Sequence, residues 1–440
     1  MKKRLVPPTA ATRRHVLAAV AALAVMAPLT SACGGSEAGA EDGRTLRLWH
    51  YEDPDGALGK AWTAAIAEFK RSHPGVKVVF EQKTFDQIQQ NAGMILNSDK
   101  APDVLEYNKG NATTGLLGKQ GLLTDLTPVV RSRGWDKKIA QSASVTARYD
   151  TKGEMGGDKW YGVPNYGEFV LAYYNDDLFA KHGIAKPTDF KSFEAALAKF
   201  KEAGVTPLAN AGNDYPASHW LYLLALAKAN RAWVDDYQLY KGKVDFHGPE
   251  WTWAVAKYKE WLAKGYFEKK DVGLKGNDMG EQFVSQKRPI MVSGNWWFGG
   301  LTHDIKNFKW SVAPYPGATM TLGSGGNQWV VPTRAKNKKL AEDFIGITMS
   351  DKIQKLIGES GNIPLAVKAD RIGNARSRQL IDAFDAYQHS NGLAFYPDWP
   401  VPGYYDAFVA ATQNLVNGAG ADSVLDQLAA PYDKYISTRH

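Results

Sequence analysis

Between Thr45 and Phe80 the hydrophobic period changes twice, and that change constrains the fold more than any other feature of the chain. Thr45-Leu46-Arg47-Leu48-Trp49 alternates with the period of two that a strand needs. Trp62, Ala65, Ile66 and Phe69 then recur at i, i+3, i+4 and i+7, one apolar face of a helix, until His73-Pro74-Gly75 breaks it. Val76 to Phe80 reads as a second strand. A strand, a helix and a strand in that order build a parallel sheet, because parallel neighbours need a long crossover. The pattern returns further on. Thr188 or Asp189 is placed to cap a helix carrying Phe193, Leu197 and Phe200, which Gly204 ends, and Leu340, Phe344 and Ile347 mark another helix face. The expected class is therefore α/β.

A chain of 440 residues exceeds one compact domain and suits two or three. Its 44% hydrophobic and 22% charged residues exclude a disordered or collagen-like chain. The net charge of +7 suggests nucleic acid until it is located. Residues 1–32 hold Lys2, Lys3, Arg4, Arg13 and Arg14 and no acid, which leaves 48 bases against 46 acids in the rest. A nearly neutral body carries no nucleic-acid footprint.

Cys33 is the single cysteine, so neither an internal disulfide nor a paired-cysteine zinc site can form. A basic stretch to His15 precedes the apolar run Val16 to Leu29, which is too short to span a bilayer as a helix. Thr30, Ser31 and Ala32 follow, then Cys33 and a Gly/Ser-rich stretch. That order predicts a signal peptide over residues 1–32, and a lipidated cysteine with a flexible tether over 33–43. Thr12-Arg13-Arg14-His15-Val16-Leu17 resembles a twin-arginine export signal, with Val16 in place of the usual Phe. In the lipobox, Thr30 stands where Leu is usual.

Motifs for catalysis mostly fail. There is no His-Glu-x-x-His stretch and no Gly-x-Ser-x-Gly elbow. Gly110 to Gly115 has the first spacing of a phosphate loop, but Leu116 and Leu117 replace its Lys and Ser/Thr. Asp53-Pro54-Asp55-Gly56 lacks the distal Glu of a calcium loop. No cofactor is called for. Carboxylates are plentiful, which leaves a glycosidase-like pair open.

What the chain has in excess is tryptophan, fourteen in all, alongside 20 Tyr and 17 Phe. Several sit in polar, glycine-rich company. Gly294-Asn295-Trp296-Trp297-Phe298-Gly299-Gly300 is the clearest case, with Gly325-Gly326-Asn327-Gln328-Trp329 and Tyr396-Pro397-Asp398-Trp399-Pro400 similar. A pyranose has an apolar C–H face and a rim of hydroxyls. Flat rings suit the face, while amides and carboxylates suit the rim. Trp62, Trp251, Trp253 and Trp261 lie at helical spacing and are expected to be core. Trp296 and Trp297, between glycines, are expected to line a cleft.

At these residues the chain resembles the extracellular solute-binding proteins of ABC sugar importers, the family that includes maltodextrin-binding protein. The likeness runs from about Thr45 to Leu428. Its landmarks are Ala101-Pro102-Asp103-Val104, Gly121-Leu122-Leu123-Thr124-Asp125-Leu126 and Trp160-Tyr161-Gly162-Val163-Pro164. Tyr174-Asn175-Asp176-Asp177-Leu178-Phe179, Gly183-Ile184, Pro187, Gly294-Asn295-Trp296 and Ala341-Glu342-Asp343-Phe344-Ile345 follow in order. The resemblance implies a two-lobe periplasmic-binding-protein-like (type II) fold, with three crossings between the lobes and the ligand between them. Matched to this chain, the N-terminal lobe is expected over 44–162 and 315–362, and the C-terminal lobe over 163–314 and 363–440.

The resemblance also implies site residues. Ligand contacts are expected after the first strand, at His50, Tyr51, Glu52 and Asp53, and in the next loop, at Glu106, Tyr107, Asn108 and Asn111. Tyr166 and Glu168 follow the first crossing, with Glu168 serving either as a sugar contact or as a hinge ion pair. Trp220, Asn295, Trp296, Trp297, Asn327, Trp399 and Tyr405 complete the expected site. The implied function is capture of a mono- or oligosaccharide by a lipid-anchored monomer on the outer face of the cytoplasmic membrane, and delivery to the permease by lobe closure. Xylobiose or cellobiose is the expected cargo, with chitobiose and α-linked glucosides left open. A surface-anchored glycoside hydrolase is the alternative, which turnover would distinguish. A polyamine would need an acid-rich aromatic cage, which composition leaves open.

Overall fold

The computed structural model describes residues 42–439, so the expected signal peptide, Cys33 and nearly all of the tether lie outside the described residues. The first strand forms at Thr45–His50, the helix at Ala57–Ser72 and the next strand at Lys77–Gln82. The helix buries Ala61, Trp62, Ala65 and Phe69, the face its period announced. The two strands pair in parallel from Thr45 opposite Lys77 to His50 opposite Gln82. Val104–Tyr107 joins the same sheet in parallel on the other side of the first strand. Gln328–Val330 and then Val163–Pro164 extend it, in antiparallel contacts, to five strands. Helices Lys338–Thr348 and Asp351–Glu359 pack on Ala57–Ser72 and close one core around Trp62, Phe69, Trp329 and Phe344.

The second sheet is built on one long strand, Tyr166–Asn175, every residue of which is buried. Its near-continuous apolar run is what burial on both faces demands. Four strands pair with it in antiparallel fashion: Ile290–Gly294, Trp310–Pro314, Gly323–Gly325 and Ile363–Pro364. Helices Phe190–Glu202, Tyr215–Leu226 and Pro249–Ala263 contribute Phe193, Trp220, Trp251 and Trp261 to an aromatic core on this side. Asp189 caps the first of these helices through Ser192 N at 2.7 Å.

The fold is thus a two-lobed α/β structure, and the strand pairings show where the chain changes sheet. It passes from the first sheet to the second at Asn165, between Pro164 and Tyr166. It returns between Gly325 and Gln328, and enters the second sheet again at Ile363. The return at Ala313-Pro314-Tyr315-Pro316-Gly317 that the sequence suggested is displaced. Trp310–Pro314 and Gly323–Gly325 both pair with the long strand, whose ten residues offer register to both. Proline and glycine there make a turn within one sheet.

Candidate functional site

Loops at the carboxyl ends of the first sheet's parallel strands face the second sheet, the usual position of a ligand crevice in α/β folds. A cavity of about 540 Å³ opens there. The loop after the first strand supplies Tyr51 and Glu52, the start of helix Phe85–Leu96 supplies Phe85 and Asp86, and the loop after Tyr107 supplies Asn108 and Lys109. Tyr166 and Glu168 come from the long strand, Tyr215 and His219 from one helix face, Trp296 and Trp297 from the next helix start. Asn327, Tyr396 and Trp399 complete the floor. Two surface grooves of about 580 and 570 Å³ are of similar size. Their charges are already paired with each other, as in Arg133–Asp343 and Arg288–Asp271, so neither offers comparable unmet chemistry.

The floor is organised by an ion pair. Lys109, 2% exposed, binds the carboxylate of Glu168, and its ammonium also donates to Asn327 Oδ1 at 2.8 Å. Two aromatic faces cover it, Trp399 at 5.2 Å and Tyr396 at 5.7 Å from Nζ to ring centroid. Burial pulls Lys109 below its ordinary pKa and pushes Glu168 above its own, while their contact opposes both shifts. Gly110 makes the arrangement possible. Its φ is +112°, and a Cβ there would stand 2.7 Å from Trp399 Cγ.

Around the pair lie further titratable groups. Glu106 is wholly buried, and its Oε2 accepts from Trp62 Nε1 at 3.2 Å while Oε1 has no hydrogen-bond partner. Burial and the neighbouring Glu52 raise its pKa well above the carboxylate range. Burial takes Glu52 up to about 7 and Asp398 likewise to about 7. Tyr215 donates its hydroxyl to Asp398 at 3.4 Å, and Asp398 Oδ1 is unpartnered. His219, held at about 3 by burial, stays neutral, with its Nε2 unpartnered among the rings of Tyr215, Tyr396 and Trp296. Among the described residues, no three His, Cys, Asp or Glu side chains are grouped to hold a metal ion.

Of the expected site residues, Tyr51, Glu52, Asn108, Tyr166, Glu168, Trp296, Trp297, Asn327 and Trp399 line this cavity. The other eight are placed elsewhere, each for a visible reason. His50 is buried and stacked on Phe80, and Glu106 is buried against Trp62. Asp53 is an exposed turn carboxylate accepting from Asp55 N at 2.9 Å. Tyr107 is packed into the core. Asn111 is spent on Met155 N and Gln238 O, at 2.7 and 3.0 Å. Trp220, 1% exposed, packs against Phe193, Trp261, Phe267 and Tyr315 instead of facing the cleft. Asn295 accepts from Phe169 N and donates to Gly167 O and Asn362 Oδ1, stitching strands together. Tyr405 stands behind the wall, bonded to Asp214 at 3.1 Å. Sequence reasoning missed Lys109, Phe85, Tyr215 and His219. The i, i+4 spacing of Tyr215 and His219 places them on one helix face, a signal the sequence did carry.

Residues 53–355 match the family model for bacterial extracellular solute-binding proteins. The diacetylchitobiose binding protein DasA of Streptomyces coelicolor is 25% identical over 396 residues, 84% of this chain and 87% of its own. A maltooligosaccharide ABC transporter solute-binding lipoprotein of Streptococcus pneumoniae is 24% identical over 345 residues, 74% of each chain. The solved structure of a chitin oligosaccharide binding protein superposes with a TM-score of 0.75 at 22% identity, covering 90% of this chain and all of its own.

Proposed function

The chain belongs to the bacterial extracellular solute-binding protein family, and on that premise we propose that it captures a short oligosaccharide for an ABC importer. One observation carries the reading. The cavity sets aromatic rings (Tyr51, Tyr166, Trp296, Trp399) around polar groups (Asn108, Lys109, Glu168, Asn327), which is the division of labour a sugar ring asks for. Its volume of about 540 Å³ suits two sugar rings, and a β-linked disaccharide such as xylobiose or cellobiose is the proposed cargo.

The mechanism is binding without bond-making. A sugar bridging Tyr51, Asn108 and Lys109 on one side and Tyr215, His219 and Trp296 on the other stabilises the closed arrangement by its differential contacts there. The lobes are proposed to divide at the three changes of sheet, near Asn165, between Gly325 and Gln328, and before Ile363. The closed form would be the one that docks on the permease. Cys33 is proposed as the lipid anchor holding a monomer on the outer face of the membrane.

A thermal-shift screen against mono- and disaccharides tests this. Ligand at ~100 times Kd adds about 2.7 kcal/mol of stability, readable as several degrees. A sugar that raises Tm and is recovered intact supports the proposal. A flat panel overturns it, and consumption of the sugar replaces it with a glycoside hydrolase.

A further inference from the structure

The cleft floor holds more negative groups than it can satisfy. Four carboxyl groups lie near the one buried ammonium of Lys109, with Glu52 and Glu168 lining the cavity and Glu106 and Asp398 buried behind it. Lys109 is already committed to Glu168 and Asn327. Lys275, the other cation lining the cavity, faces Asp86 at 3.8 Å on the exposed rim. Glu52 and Glu106 therefore have no cation of their own. They are close enough to share a proton, yet with both ionised Glu106 Oε1 is left buried and unpartnered.

An unpaired buried carboxylate is costly, and a neutral hydroxyl only partly offsets the cost, because it supplies a donor and no charge. An ammonium supplies three donors and the missing charge. Glu52 lines the cavity and Glu106 is buried beside it, so such a group on a ligand can approach Glu52 directly and meets the charge of Glu106 behind it. Tyr51 and Tyr166 line the cavity beside the same carboxylates and offer ring faces to a cation and to the sugar ring carrying it. A divalent metal fits less well, since the described acids do not converge on a point where three could ligate one ion.

From this arrangement we infer that the cleft selects an amino sugar, a β-linked disaccharide whose free amine sits against Glu52 with Glu106 buried behind it. The inference rests on the sugar-binding reading above, keeps its β-linked disaccharide and replaces the neutral xylobiose or cellobiose by an amine-bearing one. Without a cation, burial and the neighbouring Glu52 keep Glu106 protonated, while burial, with Glu168 nearby, holds Glu52 near 7. Arrival of the ammonium makes ionisation favourable and displaces a proton.

The test is calorimetric titration of the full chain with three probes that share one frame: cellobiose, the β-1,4-linked glucosamine disaccharide, and its di-N-acetylated form. The free amine is expected to bind at least tenfold more tightly than either neutral sugar. Near pH 7, titrations in two buffers of different ionisation enthalpy should show net proton release for the amine and none for cellobiose. Glu52→Gln should lower the amine's affinity at least tenfold, toward that of cellobiose. Equal or tighter binding of a neutral probe, or amine binding with no proton release, overturns the inference and leaves the sugar-binding reading standing. If none of the three binds while another sugar does, the inference alone fails. If no sugar binds at all, both fail. The proton-release measurement uses the unmodified protein, so misfolding of the variant does not remove the test.

Discussion

Lys109 and Glu168, 59 residues apart in the chain, form an ion pair almost sealed from solvent on the floor of the cleft. It joins the loop after a first-sheet strand to the central strand of the second sheet. Glu168, expected either as a sugar contact or as a hinge ion pair, lines the cavity and holds Lys109.

Glu168→Gln leaves the Lys109 ammonium buried without its nearest counter-charge. Removing one partner of such a pair costs about 3 kcal/mol or more, whereas removing both leaves no stranded charge. Glu168→Gln should therefore unfold at lower denaturant than the double variant Glu168→Gln/Lys109→Met. Chemical denaturation measures this, and the reverse order would show that the pair is not the charge balance of the floor.

Trp296 is 40% exposed, a large aromatic left open at the cleft, with a ring that lies over Gly294. Truncation to alanine removes a stacking face together with ring contacts to His219 and Tyr396 on the cavity wall. Trp296→Ala should weaken sugar binding by about 1–2 kcal/mol with Tm nearly unchanged. Unaltered affinity in a titration would remove Trp296 from the site.

Gly110→Ala strains the floor from beneath. Its backbone lies in the left-handed region, and the new methyl would overlap Trp399 at 2.7 and 2.8 Å. The strained φ and displaced ring together should cost about 2 kcal/mol of stability and roughly tenfold in affinity. A variant with wild-type affinity would mean that Trp399 does not hold ligand.

Stability should depend on pH through Asp398. Its carboxyl rises from 3.8 to about 7 on folding, so the native state holds a proton that the unfolded chain has released. Stability from this group is full below about pH 4 and is lost as pH rises through 7. His219 and His50, held at about 3 and about 4, act in the opposite sense below pH 6.5. The comparison of Asp398→Asn with wild type isolates the carboxyl. The variant should lose less stability between pH 5 and pH 8, by roughly a few kcal/mol. Parallel pH profiles for the two proteins would rule out a proton on Asp398.

Cys33→Ala should move the protein from the membrane fraction into the medium, as fractionation and immunoblotting would show. Retention at the membrane would remove Cys33 as the anchor.

Much of the fold was legible because it rests on local periodicity. Trp62 and Phe69 announce a helix face by their spacing, as the alternation from Thr45 to Trp49 announces a strand. Asp189 declares a cap three residues before Ser192. The loop Gly294 to Gly300 likewise announced aromatic residues at a cleft, and Trp296 and Trp297 do line it. Trp220 shows where such reading stops. It belongs to a helix buried nearly all round, and only the aromatic neighbours that surround it decide that it is core.

The sequence by itself determined the α/β class, the strand–helix–strand start, the neutral body and the aromatic cleft loops, because these depend on residue type and short-range spacing. Tertiary structure decided which aromatics face the cavity, where the chain changes sheet, and which charges meet. Lys109 finds Asn327 across 218 residues and Glu168 across 59, and no local pattern encodes either contact. The raised carboxyls of Glu52, Glu106 and Asp398 arise from burial first, with Glu52 adding to Glu106 and Glu168 adding to the other two, and burial exists only once both sheets are in place.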